Sequence, residues 1–142
     1  MTCTFFGHRD APESVRPILA TTIRKVIVSD DVRNFLVGYQ GAFDRMVLGE
    51  LKKMKAEFPW IRYTVVLAYL PDGNNHSFIE AETVYPEGLE TVPRRFAIAR
   101  RNEWMIKQAD VVVSYVTHST GGAAKYVQKA EHQGKRIISV VS

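Results

Sequence analysis

The chain has 142 residues, 46% of them hydrophobic, with a formal charge of +4 and a single cysteine, Cys3. That length suits one domain around one core; a lone cysteine excludes an internally disulfide-stapled scaffold, and no apolar run approaches the ~20 residues that span a bilayer. No basic segment followed by an apolar stretch opens the sequence, so the expectation is a cytoplasmic protein with no secretory signal and no membrane partner.

In chain order, residues 3–6 read as a short buried strand ended by Gly7. Val15, Ile18, Leu19, Thr22, Ile23 and Val26 then recur at helical spacing, with Pro17 falling in the first turn, where it is tolerated. Residues 35–37 form a second strand ending at Gly38. Phe43, Val47, Leu51, Met54 and Phe58 mark a second helix stopped by Pro59. A third strand over 61–67 is continuously apolar at Val65, Val66 and Leu67, as parallel strands covered on both faces are.

Residues 68–93 break the rhythm with Pro71, Pro86 and Pro93, Gly73 and Gly88, and no helical stripe. So long a structureless stretch inside a domain is uncommon, and it reads as a lid, an interface or a specificity loop that hides a short strand at 83–85. A helix over about 96–108, a strand over 111–116, a helix over about 123–133 stopped by Gly134, and a last strand over 136–141 complete the chain. No repeat or flexible linker divides it, so residues 1–142 are expected to form one domain. The order implies an α/β, Rossmann-like fold: an open, mostly parallel sheet with helices on both faces.

Such sheets bind ligands beyond the carboxyl ends of their strands. Three turns there carry glycine: Gly7-His8-Arg9-Asp10, then Gly38 to Gly41 leading to Asp44, and Thr117-His118-Ser119-Thr120-Gly121-Gly122. Glycine lets backbone N–H groups approach a ligand, and a helix N-terminus favours an anion. The third turn is the phosphate candidate through Thr117, Ser119, Thr120, Gly121 and Gly122; the plainer reading is a Ser/Thr helix cap. Arg9 is suited to fork onto phosphate and His8 to titrate near neutrality. Alternatively, His8 packs and caps the first helix while Arg9 pairs with Asp10. Asp44, early in the second helix, either accepts ribose hydroxyls or complements the helix dipole.

Charge is unevenly placed. Residues 94–107 hold Arg94, Arg95, Arg100, Arg101 and Lys107 against Glu103, an excess equal to the whole net charge, whereas residues 72–93 hold five acids and no base. One short basic cluster suits a compact anion better than the many phosphates of a nucleic acid. A solvated helix face paired with the acidic loop is the alternative. The turns match neither G-x-G-x-x-G nor a Walker loop, and no G-x-S-x-G elbow is present. His8, His76, His118 and His132 lack metal-ligand spacing, so neither metal nor cofactor is expected. Trp60 and Trp104 read as core or interface residues, and His132 as solvated.

The stretches Thr4-Phe5-Phe6-Gly7-His8-Arg9, Gly38-x-x-Gly41-x-Phe43-Asp44, Arg100-Arg101-Asn102-Glu103-Trp104-Met105 running to Asp110, and Thr120-Gly121-Gly122-Ala123-Ala124 occur in that order across nearly the whole chain. Together they resemble the SLOG superfamily, which groups the DNA-processing DprA proteins with the cytokinin-activating LOG phosphoribohydrolases, and within it the small, single-domain YpsA-like branch. The resemblance implies a Rossmann-like domain that binds a nucleotide or nucleotide-derived, ADP-ribose-like ligand at the carboxyl edge of the sheet. Arg101 and Met105 fit the LOG helix motif, and Arg101 is the residue it would implicate in catalysis. In the LOG glycine turn, Gly121 and Gly122 match, but Thr120 replaces proline and Gln128 stands at the glutamate position.

An amide cannot exchange a proton usefully near pH 7. The expectation is therefore a non-catalytic ligand sensor or binding module, with Arg101 and Asn102 in the site, unless Glu131 or Asp44 supplies the carboxylate. The alternatives are LOG-like N-glycosidic hydrolysis of a nucleoside monophosphate and DprA-like single-stranded DNA binding. Nucleic acid is not the expected partner, and a homodimer is compatible with the sequence.

Overall fold

The structure, a computed structural model, describes residues 1–70 and 81–141. Among the described residues, six strands, β1 (Thr2–Gly7), β2 (Asn34–Val37), β3 (Arg62–Val66), β4 (Glu82–Val84), β5 (Val111–Tyr115) and β6 (Arg136–Ser139), and four α-helices, α1 (Arg16–Val28), α2 (Gly41–Glu57), α3 (Ala97–Gln108) and α4 (Gly122–His132), follow in the order β1-α1-β2-α2-β3-β4-α3-β5-α4-β6. The strands form one sheet in the order β4-β3-β2-β1-β5-β6. Every pairing is parallel, which sharpens the expected mostly parallel sheet. The strand expected at 83–85 is β4, paired with β3 from Thr64↔Glu82 to Val66↔Val84. The rest of the suggested lid is only partly visible, since Asp72, Gly73, His76 and Glu80 lie outside the described residues.

The period of two along each strand divides the core. Phe5, Phe35, Val37, Val65, Val111 and Val113 face α1 and α2, where Leu19, Ile23, Val26, Phe43, Val47 and Leu51 pack against them. Phe6, Val66 and Val112 face the other side, against Met105 and Ile106 of α3 and Tyr126 and Ala130 of α4. Cys3 is wholly buried in β1, and burial pushes its thiol pKa far up, leaving it inert. Trp60 departs from the core reading: it is 56% exposed, touching Phe58 edge-on, because it lies in the turn after α2 rather than in β3. None of the described helices is long and apolar enough to cross a membrane.

The chain starts at the centre of the sheet, builds outward through β2, β3 and β4, then returns to β5 on the other side of β1. The strand order therefore reverses between β1 and β5, and the loops after these strands leave for opposite faces. That divergence opens a crevice at the carboxyl edge.

Gly7 closes β1 against the floor of this region. A Cβ on Gly7 would stand 2.3 Å from the ring of Phe43, itself fully buried and stacked on Tyr115. Gly7→Ala is expected to destabilise the fold by about 1–3 kcal/mol through overpacking, measured by urea denaturation. In a double-mutant cycle, Phe43→Leu should recover part of that loss; strictly additive costs would show that the two positions do not touch.

Candidate functional site

A cavity of about 410 Å³ lies at the strand reversal. Gly7, His8, Arg9 and Asp10 reach it from the end of β1. Gly38 and Gln40 come from the end of β2, Asp44 from the first turn of α2, and Arg101, Asn102 and Met105 from α3. Thr120, Gly121 and Gly122 bring the start of α4. Four separate stretches of sequence thus converge because a parallel sheet delivers all its strand ends to one edge.

Among the described residues Arg101 is the most deeply buried charge, 2% exposed. Its Nη1 donates to the Val66 carbonyl at 2.9 Å, and its Nε to Asn102 Oδ1 at 2.7 Å. The Asn102 side chain in turn faces the Tyr126 phenol, while the Tyr126 ring stacks on Phe6. Arg101 is thereby anchored to β3, to its own helix and through Asn102 to α4. Among the described residues no carboxylate comes within ion-pair distance of it. Burial lowers its pKa from the usual arginine value, with the Asp44 charge acting in the opposite direction.

Asp44 is the buried counter-charge. Its Oδ2 accepts the Gln40 backbone N–H at 2.9 Å. Burial pushes its carboxyl up to about 6, against the opposing pull of that hydrogen bond and of Arg101, Arg9 and Arg45. Gly38 separates the two groups. A Cβ there would lie 3.0 Å from both Arg101 Nη1 and Asp44 Oδ2, so the absent side chain is what lets both settle over the end of β2. Gly41 serves the backbone instead of the cavity, since its φ of +89° and a would-be Cβ 2.7 Å from Arg9 Cα admit only glycine there.

On the opposite wall, His8 is buried with its ring stacked on that of His118, centroids 3.8 Å apart and nearly parallel. His8 Nε2 accepts the Thr117 backbone N–H at 2.9 Å, which requires a neutral ring with its proton on Nδ1. Thr120 Oγ1 lies 2.7 Å from His118 Nδ1, so its hydroxyl serves this loop and does not cap α4. The N-cap of α4 is Gly121, with φ 88° and ψ 178° and no side-chain hydrogen bond. The first amides of α4 are left without a side-chain partner beside the cavity.

Of the residues selected from sequence, Gly7, His8, Arg9, Gly38, Asp44, Arg101, Asn102, Thr120, Gly121 and Gly122 line the cavity. Gly41, Thr117 and Ser119 do not. Of the basic cluster only Arg101 lines it. Arg94 lies over the Tyr69 ring, Arg95 over Phe96, Arg100 beside Glu103, and Lys107 is exposed. Gln128 and Glu131 are exposed on α4 and lie outside the wall. His118 and Tyr126 join the wall without having been candidates from sequence. The helical spacing of Tyr126 and Ala130 signals a buried stripe without showing that it borders a cavity, and nothing local pairs His118 with His8, 110 residues earlier in the sequence.

No family model matches the chain, and no curated protein sequence is similar to it. Among solved structures, the X-ray structure of DNA processing protein A (DprA) from Streptococcus pneumoniae superposes with a TM-score of 0.68 at 13% sequence identity, covering 97% of this chain and 49% of that one. The two share a Rossmann-like α/β fold, and this chain spans about half the length of that protein.

Two of the buried titratable groups, His8 and Asp44, act on stability with opposite signs. Burial and the neighbouring His118 lower the His8 pKa below its ordinary 6.5, so the stability gained from neutral His8 is present above that pH and lost on acidification. The Asp44 pKa is raised from 3.8 to about 6, so its share is complete below 3.8 and lost as pH rises through 6. The stability difference between wild type and Asp44→Asn should therefore change by on the order of 3 kcal/mol between pH 3 and pH 7, in favour of the variant at the higher pH. Urea melts across that range would show it; a constant difference would place the Asp44 pKa at its unfolded value. By NMR, the His8 ring and the Thr117 amide should titrate together with a midpoint below 6.5, and a midpoint above that value would contradict the burial argument.

Proposed function

We propose that this domain binds a small nucleotide or nucleotide-derived ligand without transforming it. The observation that carries the reading is Arg101: a guanidinium 98% removed from solvent, with no carboxylate at ion-pair distance among the described residues, in the wall of a cavity that also receives the uncapped start of α4. A buried cation is costly unless an anion compensates it, and free helix amides supply donors and positive potential for the same anion. Phosphate satisfies both. Phe6, Ile98, Met105 and Tyr126 give the cavity an apolar portion suited to a base. The resemblance to the SLOG superfamily and the fold shared with DprA agree with this reading.

The position where the LOG motif carries glutamate is Gln128, exposed and outside the cavity, which favours binding over hydrolysis. One observation favours a second reading. Asp44 lies in the cavity wall with its carboxyl near pH 6, the range in which a group exchanges protons usefully at neutral pH. N-glycosidic hydrolysis with Asp44 as the acid/base group is that alternative.

Saturation at about 100 times the dissociation constant should stabilise the protein by about 2.7 kcal/mol, or roughly 6–10 °C in Tm for a chain of this size. A thermal-shift panel of nucleoside 5′-monophosphates, ADP-ribose and a 5′-phosphorylated single-stranded oligonucleotide tests this. At least one small ligand is expected to raise Tm, and Arg101→Ala and Gly122→Asp to weaken it at least tenfold, the latter by placing a carboxylate at the first turn of α4. A shift with the oligonucleotide alone, or with nothing, would overturn the proposal. Free base released by wild type but not by Asp44→Asn would replace it with the hydrolytic reading.

A further inference from the structure

The cavity sorts the parts of a ligand by charge. At the start of α4 the uncapped amides attract an anion. Asp44 does the reverse: an ionised carboxylate repels phosphate and seeks O–H or N–H donors. Its Oδ2 holds the Gln40 amide, and among the described residues no donor meets Oδ1, although the side chain is 91% buried and borders the cavity. Arg101 lies across Gly38 from it. Two of the five guanidinium N–H groups are committed, to Val66 and Asn102.

Resting on the nucleotide reading above, we propose that Asp44 reads the vicinal 2′,3′-diol of a ribose, so that the ligand is a free ribonucleotide and not a deoxyribonucleotide or an internal stretch of nucleic acid. A cis-diol presents two adjacent O–H donors to the carboxylate. A 2′-deoxyribose supplies only one such group, leaving part of a buried ionic site unsatisfied, which is the condition under which proteins discriminate most strongly. In a polymer the internal 3′-oxygens are esterified and cannot donate. Gly38 keeps the position free of a side chain, so that the carboxylate and the phosphate-facing guanidinium lie close enough to act on one nucleotide.

Isothermal titration calorimetry at pH 7.5 tests this with the adenosine, guanosine, cytidine and uridine 5′-monophosphates and their 2′-deoxy counterparts. For whichever base binds, wild type is expected to prefer the ribose form at least tenfold. In Asp44→Asn the ratio should fall below threefold. The wild-type ratio should also shrink as pH is lowered from 7.5 to 5. Equal binding of the ribose and deoxy forms by wild type would overturn this inference and leave nucleotide binding intact, as would a ratio that survives in the variant. Failure of every nucleotide to bind would remove both. If Asp44→Asn does not fold by circular dichroism, the wild-type comparison decides alone.

Discussion

A guanidinium buried between helix and sheet organises the carboxyl edge of this domain. Arg101 spans from α3 to the last carbonyl of β3, and its neighbour Asn102 carries the connection to Tyr126 on α4. A cation so enclosed must be met on every side by dipoles or by an opposite charge. Val66 and Asn102 supply the dipoles and Asp44 the charge, held close without closing an ion pair. The arrangement leaves the guanidinium partly compensated, an unsatisfactory state for a core and a useful one for a binding wall.

The histidine pair on the opposite wall has a different logic. Neutral His8 fixes the loop before α4 by accepting an amide, and His118 covers it as a parallel ring. Acid disfavours this wall, while a rise in pH ionises Asp44 on the other. Neutral imidazole therefore faces ionised carboxylate across the cavity in the neutral range. The histidine wall is thus fixed before any ligand enters, which is the preorganisation a selective site requires.

Much of the fold is legible in the sequence because parallel strands and amphipathic helices write different periods into the chain. The stripe from Leu19 to Val26 and the run through Val66 need no tertiary information. The strand beside β3 reads one residue late from sequence, since three residues ending in a Pro86 turn carry little pattern and only pairing with Thr64 to Val66 sets its register. At the site, glycines after strand ends point to the right edge. The basic cluster misleads when its five cations are treated as one patch. Helical spacing through Ile98, Arg101, Asn102 and Met105 turns only Arg101 inward, whereas Arg100 faces solvent. The His8–His118 stack is illegible, because it depends on β1 and β5 lying side by side.

That same adjacency dictates an order of events during synthesis. The central strand hydrogen-bonds at its start to a carboxylate 108 residues away, Thr2 N–H to Asp110 Oδ2 at 2.9 Å. Chain closure over such a span is slow compared with local pairing. The half-sheet of β1, β2 and β3 with α1 and α2 is contiguous in sequence and can assemble while the ribosome is still adding residues at roughly 5–20 per second. Until α3, β5 and α4 arrive, one face of β1 and the whole of its far edge stay uncovered, including Phe6. Phe6 and that edge are thus the nascent protein's point of vulnerability to aggregation, and the cavity is the last part of the molecule to come into being.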